Sequence, residues 1–295
     1  MGITIIADAV SNLFQSIINE KALSIKVMNM HLTVGDHEYN CYNDELDIKE
    51  FSKTYFDLIE KGESVSTSLI NSFDYIEAFK EEIAKGNKVI CFTMAQGISG
   101  TYQSAKQAME YVNEKNGEEW VYVIDSMTAG LGEGLQAIHA DELVKQGKSF
   151  EEIKKDCEHF KKFVRSDFTV DNIKYLIKTG RASKVLAKFI NLLNVKVLLK
   201  HNKESKIAFA GTVLGRKNSI KKLSSMVIDK INTKIDQIIY ITHCNCEDDA
   251  HKIEEHLRNG GLTNPIEIYD YDLISGAHIG PKSLAVFYIS KKEAD

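Results

Sequence analysis

Residues 91–110 read CFTMAQGISGTYQSAKQAME. Their first residues end the apolar run KVICFTM (88–94), which fits a short buried strand. Gly97 interrupts the run, and Ser99, Gly100 and Thr101 follow as a hydroxyl-bearing turn. From Gly100 to Gly117 the small and apolar residues recur three and four apart, which is the period of a helix. A strand feeding a helix through a tight turn is the repeating unit of an α/β fold.

The same alternation extends outward. ITIIA (3–7) reads as a first strand and LFQSIINEKA (13–22) as a helix. IKVMNMHLTV (25–34) is strand-like, with alternation into HEY (37–39). DIKEFSKTYFDLIEKG (47–62) has helical period and stops at a glycine. VSTSLINSF (65–73) reads as a loop rich in hydroxyls, and a helix over 72–86 takes Ser72 as its N-cap. WVYVID (120–125) is a strand, and GEGLQAIHADELVKQG (132–147) is a helix. Strands interleaved with long helices imply crossovers, hence a mostly parallel sheet with flanking helices. The loops IADAVSN (6–12), TMAQGISGT (93–101) and IDSMTAG (124–130) then share one sheet edge, where open α/β sheets bind ligands.

After SFEEIKKDCEHFKKF (149–163) the strands come closer together. SDFTV precedes a helix; LLNVKVLL, KIAFAGTV, QIIYITHC, PIEIYDY and SLAVFYIS are strand-like; 216–232 and 246–261 are helical. The fold class is therefore α/β, with residues 1–155 as an N-terminal α/β domain and 156–295 as a C-terminal α+β domain.

Composition bounds the rest. The 295 residues are 43% hydrophobic, enough for a sizeable core without staples. A net charge of −5 with mixed signs argues against broad nucleic-acid binding. Five scattered cysteines read as reduced thiols of a cytoplasmic protein. The stretch MGITIIADAVSNLF lacks the basic start and long apolar run of a signal peptide, and no run reaches the roughly 20 apolar residues of a membrane span.

Several constellations invite chemistry. Gly97-Ile98-Ser99-Gly100-Thr101 approaches the nucleophile elbow G-x-S-x-G but lacks its last glycine. With His278 and Asp125 it would make a hydrolase or transferase; otherwise Ser99 caps the next helix, whose free N–H groups also suit an anion. No P-loop occurs, and Gly130, Gly132 and Gly134 are misplaced for a dinucleotide loop, so close helix–loop packing explains them better. His243, Cys244 and Cys246 are soft donors close together, but a fourth zinc ligand is not evident, and a strand entering a helix accounts for them. GRKNSIKK (215–222) is either a solvated face or a docking surface for an acidic partner, carried by Arg216, Lys217, Lys221 and Lys222. His278 sits among Gly276, Gly280 and Pro281, as in a shaped turn before a strand.

Taken in order, IIADAVSNL, STSLINSF, GISGTYQSAKQA, the run 121–153, VDNIKYLIKTGRASK, LLNVKVLL, GTVLGRKNSIKKL and GAHIGPKSLAVFY resemble the DegV family of fatty-acid-binding proteins, from Ile3 to about Tyr288. The resemblance implies two domains with one long-chain fatty acid buried at their junction. It implies a carrier without catalysis, cofactor or metal of its own, whose ligand is phosphorylated by a separate fatty acid kinase. It also implies a carboxylate site at Thr67 and Ser68 on one side and Ser99, Gly100 and Thr101 on the other. His278 joins the head-group network, and Arg181 lies near the junction. Ala9, Leu69 to Asn71, Ala95, Gln96 and Lys282 depart from the usual family residues, leaving the site less hydroxylated. Physical reasoning agrees: hydroxyls and helix-start N–H groups hold a buried carboxylate without a full countercharge. An acyl tail of about 14 methylenes supplies roughly 11 kcal/mol gross.

Overall fold

The structure, a computed structural model, describes residues 2–41, 48–182, 186–189 and 192–294. The chain opens with β1 (Gly2–Asp8), a short 3-10 turn (Ala9–Ser11) and α1 (Gln15–Glu20). Strands β2 (Ile25–Met28), β3 (His31–Val34) and β4 (His37–Asn40) precede α2 (Ile48–Lys61), whose expected first residue, Asp47, lies outside the described residues. Next come β5 (Val65–Thr67), α3 (Ser72–Ala84), β6 (Asn87–Thr93), α4 (Thr101–Asn116), β7 (Val121–Asp125), α5 (Leu131–Lys145) and α6 (Phe150–Phe160). The later part holds β8 (Val164–Val170), α7 (Lys174–Lys178), a 3-10 turn (Leu186–Phe189), β9 (Val195–His201), β10 (Ile207–Leu214) and α8 (Arg216–Lys230). It closes with β11 (Ile239–His243), α9 (Glu247–Asn259), β12 (Ile266–Asp270), α10 (Leu273–Ile279) and β13 (Leu284–Ile289).

A four-stranded sheet in the order β2-β1-β6-β7 is parallel throughout. Its central strands are apolar on both faces, as a sheet covered on both sides requires: Ile5, Ile6, Val89, Ile90 and Phe92 are all buried. A six-stranded sheet, β10-β9-β8-β13-β11-β12, is antiparallel except at β11-β12. Its residues alternate with period two. Leu198, Ile241, Leu284 and Val286 pack with the residues of α8 and α9, while Phe168, Leu199, Ala285 and Phe287 belong to the main core. Helix α5 contacts both the parallel sheet and strands β8 and β13. That position explains Gly134, where a Cβ would lie 2.4 Å from the Ser11 carbonyl oxygen. Close packing is thus the role of the glycines at the start of α5, as expected.

The described strands of each sheet come from one side of residue 155 only, and α5 and α6 fill the interval between them. Three local expectations change. VSTSLINSF contains β5, which pairs with β3 and, with β4, makes a third, antiparallel sheet. Asn71, not Ser72, caps α3, accepting from the Asp74 N–H at 3.1 Å. His278 lies in the last turn of α10 rather than in a loop. The strand at β5 depends on its pairing with β3 more than thirty residues away, whereas the caps of α3 and α10 are local, Asn71 on the Asp74 N–H and Asp272 on the Ser275 N–H.

Candidate functional site

The three loops at the carboxyl edge of the parallel sheet are clamped by two carboxylates. Asp8 accepts from the Val10 N–H at 2.8 Å and the Met94 N–H at 3.1 Å. Asp125 accepts from the Gln96 and Met127 N–H groups and from the Ser205 hydroxyl at 2.5 Å. These bonds hold the β6–α4 loop over the edge of the sheet, facing the six-stranded sheet. Gly97 fits there because it touches the Ser205 backbone; a Cβ would come within 2.3 Å of that carbonyl oxygen.

Between these loops, the six-stranded sheet and α10 lies a cavity of about 750 Å³, its mouth included. Six of the seven expected ligand residues line it: Thr67, Ser68, Ser99, Gly100, Arg181 and His278. The seventh, Thr101, is buried behind Ser99, and their hydroxyls are 3.0 Å apart.

Each polar residue is positioned by its own element. Thr67 ends β5, opposite Leu32 in β3, and its hydroxyl shares a 3.2 Å hydrogen bond with His278 Nε2. Ser68 is exposed, and its hydroxyl accepts from the His31 N–H at 3.2 Å, which anchors the segment to β3. Ser99 Oγ accepts from the Thr101 N–H, satisfying one orphan donor at the start of α4. It therefore contributes to capping, although Gly100 occupies the N-cap position. If the Thr101 hydroxyl also donates to it, the Ser99 O–H remains a donor toward the cavity.

Helix α10 carries His278 and is tied down at several points. The Asp272 N–H donates to Asn12, the Asp272 carboxylate caps the Ser275 N–H at 2.7 Å, and the Tyr55 hydroxyl donates to the Leu273 carbonyl. Gly280 ends the helix at φ 82 against the Tyr175 ring, where a Cβ would come within 2.2 Å. Lys282 follows at φ 59 and pairs with Glu60, a backbone state that explains why glycine suits this position.

Arg181 brings a positive charge to the cavity wall. Arg181 donates to the carbonyls of Ile98 and Thr179, and no described carboxylate lies within salt-bridge distance of it. Burial, and then the Arg181 charge, push His278 down to about 4, so its ring is neutral near pH 7. Its Nδ1 is buried, with no hydrogen-bond partner among the described residues. A cation thus stands near the imidazole, as the placing of Arg181 in the expected ligand set would have it.

A serine–histidine–aspartate relay is not assembled. The Asp125 carboxylate is engaged by Gln96, Met127 and Ser205, and His278 is bonded to Thr67. His243 stands 3.8 Å from Asp270, Cys244 is fully buried, and Cys246 is 3.6 Å from Arg216; among the described residues no three His, Cys, Asp or Glu side chains form a metal-holding group. Arg216 also pairs with Asp249 at 2.8 Å and so ties α8 to α9. That removes it from the exposed basic set, which is Lys217, Lys221 and Lys222.

Most of the apolar lining was not legible in the sequence, nor was one titratable residue among it. His201, at the end of β9, faces the cavity beside Phe168, their ring centroids 5.7 Å apart. The only signal was alternation along VKVLLKH, which puts His201 on the Leu199 face.

Comparison with known proteins gives consistent relationships. The model of the DegV family, described as an uncharacterised protein family, matches residues 2–291. A DegV domain-containing protein of Clostridium perfringens is 30% identical over 97% of this chain and 96% of its own. Among solved structures, a fatty-acid-binding DegV family protein of Streptococcus agalactiae superposes with a TM-score of 0.84 at 22% identity, covering 99% of this chain and 100% of its own. The Streptococcus pneumoniae Fatty Acid Kinase B3 protein, loaded with linoleic acid, gives 0.79 at 21% identity and covers 100% of both chains. At these identities the structures speak for the fold.

Proposed function

The chain belongs to the DegV family, and on that premise we propose that it binds one long-chain fatty acid and presents the carboxylate to a fatty acid kinase. The observation that carries the reading is the division of the cavity. Arg181, His278, Thr67 and Ser99 supply a cation and donors, while Met94, Leu176, Ile207 and Ile274 supply an apolar wall. A carboxylate fits the first group because charge-assisted hydrogen bonds repay its desolvation. An acyl chain fits the second, at about 0.8 kcal/mol per buried methylene before association costs. In this reading the protein is a carrier, not an enzyme. It holds no cofactor, and residues 1–155 and 156–295 act as two domains meeting at the ligand.

Kinase recognition falls to the exposed lysines of α8. Lys217 and Lys221 are four residues apart on one helix face, a geometry that suits an acidic partner surface. The setting is the cytoplasm, where acyl phosphate is made and where the five free cysteines stay reduced. Among the described residues, no helix is long and apolar enough to cross a membrane.

Extraction of denatured, freshly purified protein followed by mass spectrometry tests the reading. About one long-chain fatty acid per chain is expected. Ligand-free protein that also refuses added fatty acids overturns it.

A further inference from the structure

The apolar part of the cavity contains a group that a plain hydrocarbon chain leaves unsatisfied. His201 lines the cavity from the end of β9, directly opposite Ile207 of β10 and beside the Phe168 ring. Both of its ring nitrogens are shielded from solvent, and neither has a hydrogen-bond partner among the described residues. Burial pushes the ring down to about 4, so near pH 7 it is neutral, with one nitrogen a donor and the other an acceptor. Buried side-chain polar atoms are nearly always paired, and an unpaired one needs an account.

The remainder of the wall does not offer that partner. Phe168, Leu176, Ile207 and Met94 have no suitable side-chain donor or acceptor. Tyr271 and Ser275 also line the cavity, and the Ser275 hydroxyl is itself without a hydrogen-bond partner among the described residues. The carboxylate is already provided for by Arg181, Thr67 and His278, so the imidazole of His201 is available to a second polar group on the same ligand.

We infer that this cavity selects an acyl chain bearing an oxygen function within the chain, such as a hydroxy fatty acid, with His201 as the specificity-determining residue. The inference rests on the fatty-acid reading above and refines its substrate class. A chain hydroxyl can donate to the unprotonated ring nitrogen or accept from the ring N–H, so the neutral imidazole serves either orientation. A plain chain packs against the ring but leaves both nitrogens unpaired. The bound state then keeps the desolvation cost that a hydroxyl would remove. No covalent step is involved.

The test is a binding series on the full chain, delipidated and reloaded. Octadecanoic acid is compared with hydroxyoctadecanoic acids whose hydroxyl is moved along the chain, by displacement of a fluorescent fatty acid. At one hydroxyl position the wild type should bind about tenfold more tightly than it binds the plain acid. His201→Phe, which fills the space with the ring type of neighbouring Phe168, should abolish that preference and leave plain-acid binding equal or tighter. His201→Gln keeps a donor and an acceptor and should retain part of the preference; it stands as the second variant if His201→Phe does not fold. A wild type that discriminates at no position overturns the inference, as does a preference that survives His201→Phe or, should that variant not fold, is lost entirely in His201→Gln. In either outcome the carrier reading stands as long as the plain acid binds; failure of every acid, plain or hydroxylated, overturns both.

Discussion

Thr67→Val isolates the head-group chemistry. The substitution preserves shape and removes only the hydroxyl that lies 3.2 Å from His278 Nε2. In the empty protein that bond joins two neutral groups and contributes about 0.5–1.5 kcal/mol. Folding should therefore survive, with a small fall in melting temperature. On the proposed head-group assignment the same hydroxyl faces a carboxylate in the loaded protein, and a hydrogen bond to a charged group is worth roughly 1.5–3 kcal/mol. The loss converts to about ten- to a hundredfold weaker binding of the acid. A methyl ester carries no charge, so its binding should fall by only a few-fold. Ser99→Ala makes a companion variant with a known complication: Ser99 Oγ also receives the Thr101 N–H, so the start of α4 loosens and both ligands lose some affinity. The assay is displacement of a fluorescent fatty acid by acid and ester in parallel, with thermal melts as a control. If Thr67→Val weakens acid and ester equally, or neither, the carboxylate is held elsewhere and the head-group assignment fails.

Four further outcomes are expected. His278 is pushed down to about 4 by burial and by Arg181, so its contribution to stability is full above pH 6.5 and is lost as pH falls through about 4. A carboxylate beside the ring raises it again, so binding should take up protons and acid affinity should rise between about pH 7 and 5; a flat profile matching His278→Gln would deny the contact. Burial raises Asp272 to about 8 and Asp8 to about 6, so their contribution is full below 3.8 and is lost as pH rises through those values. Melting temperature should fall on the alkaline side, and Asp272→Asn, an equally good helix cap, should flatten that fall. Gly134→Ala should lower stability by about 1–3 kcal/mol in denaturant titration, because the added methyl meets the Ser11 carbonyl. Reversing Lys217 and Lys221 to Glu should slow acyl-phosphate formation at low salt without changing fatty-acid binding; unchanged kinetics would make them a solvated face.

The sequence by itself determined the larger pattern. CFTMAQGISGTYQSAKQAME is a strand, turn and helix because apolar periodicity and glycine placement are local properties, and β6, its loop and α4 follow them. The same holds for the parallel sheet, the change of pattern after α6 and the packing glycines of α5. Thr67, Ser99 and His278 were identified through motifs, as loop residues that resemble ligand loops.

Only the tertiary structure decided what those residues do together. Thr67 and His278 are 211 positions apart and meet because β5 pairs with β3 while Asn12 and Tyr55 fix α10. Nothing local in VSTSLINSF announces a strand, since its pairing partner lies more than thirty residues away. Asp125 was open to a catalytic reading until its oxygens were seen to be taken by Gln96, Met127 and Ser205. Arg216 belonged to a basic run until α9 brought Asp249 against it. His201 gave almost no signal, because a histidine ending a strand looks the same whether its ring meets water or a cavity. Periodicity assigns a face, but which neighbour covers that face is set by long-range packing. That packing left an imidazole on the wall of the site with no hydrogen-bond partner among the described residues.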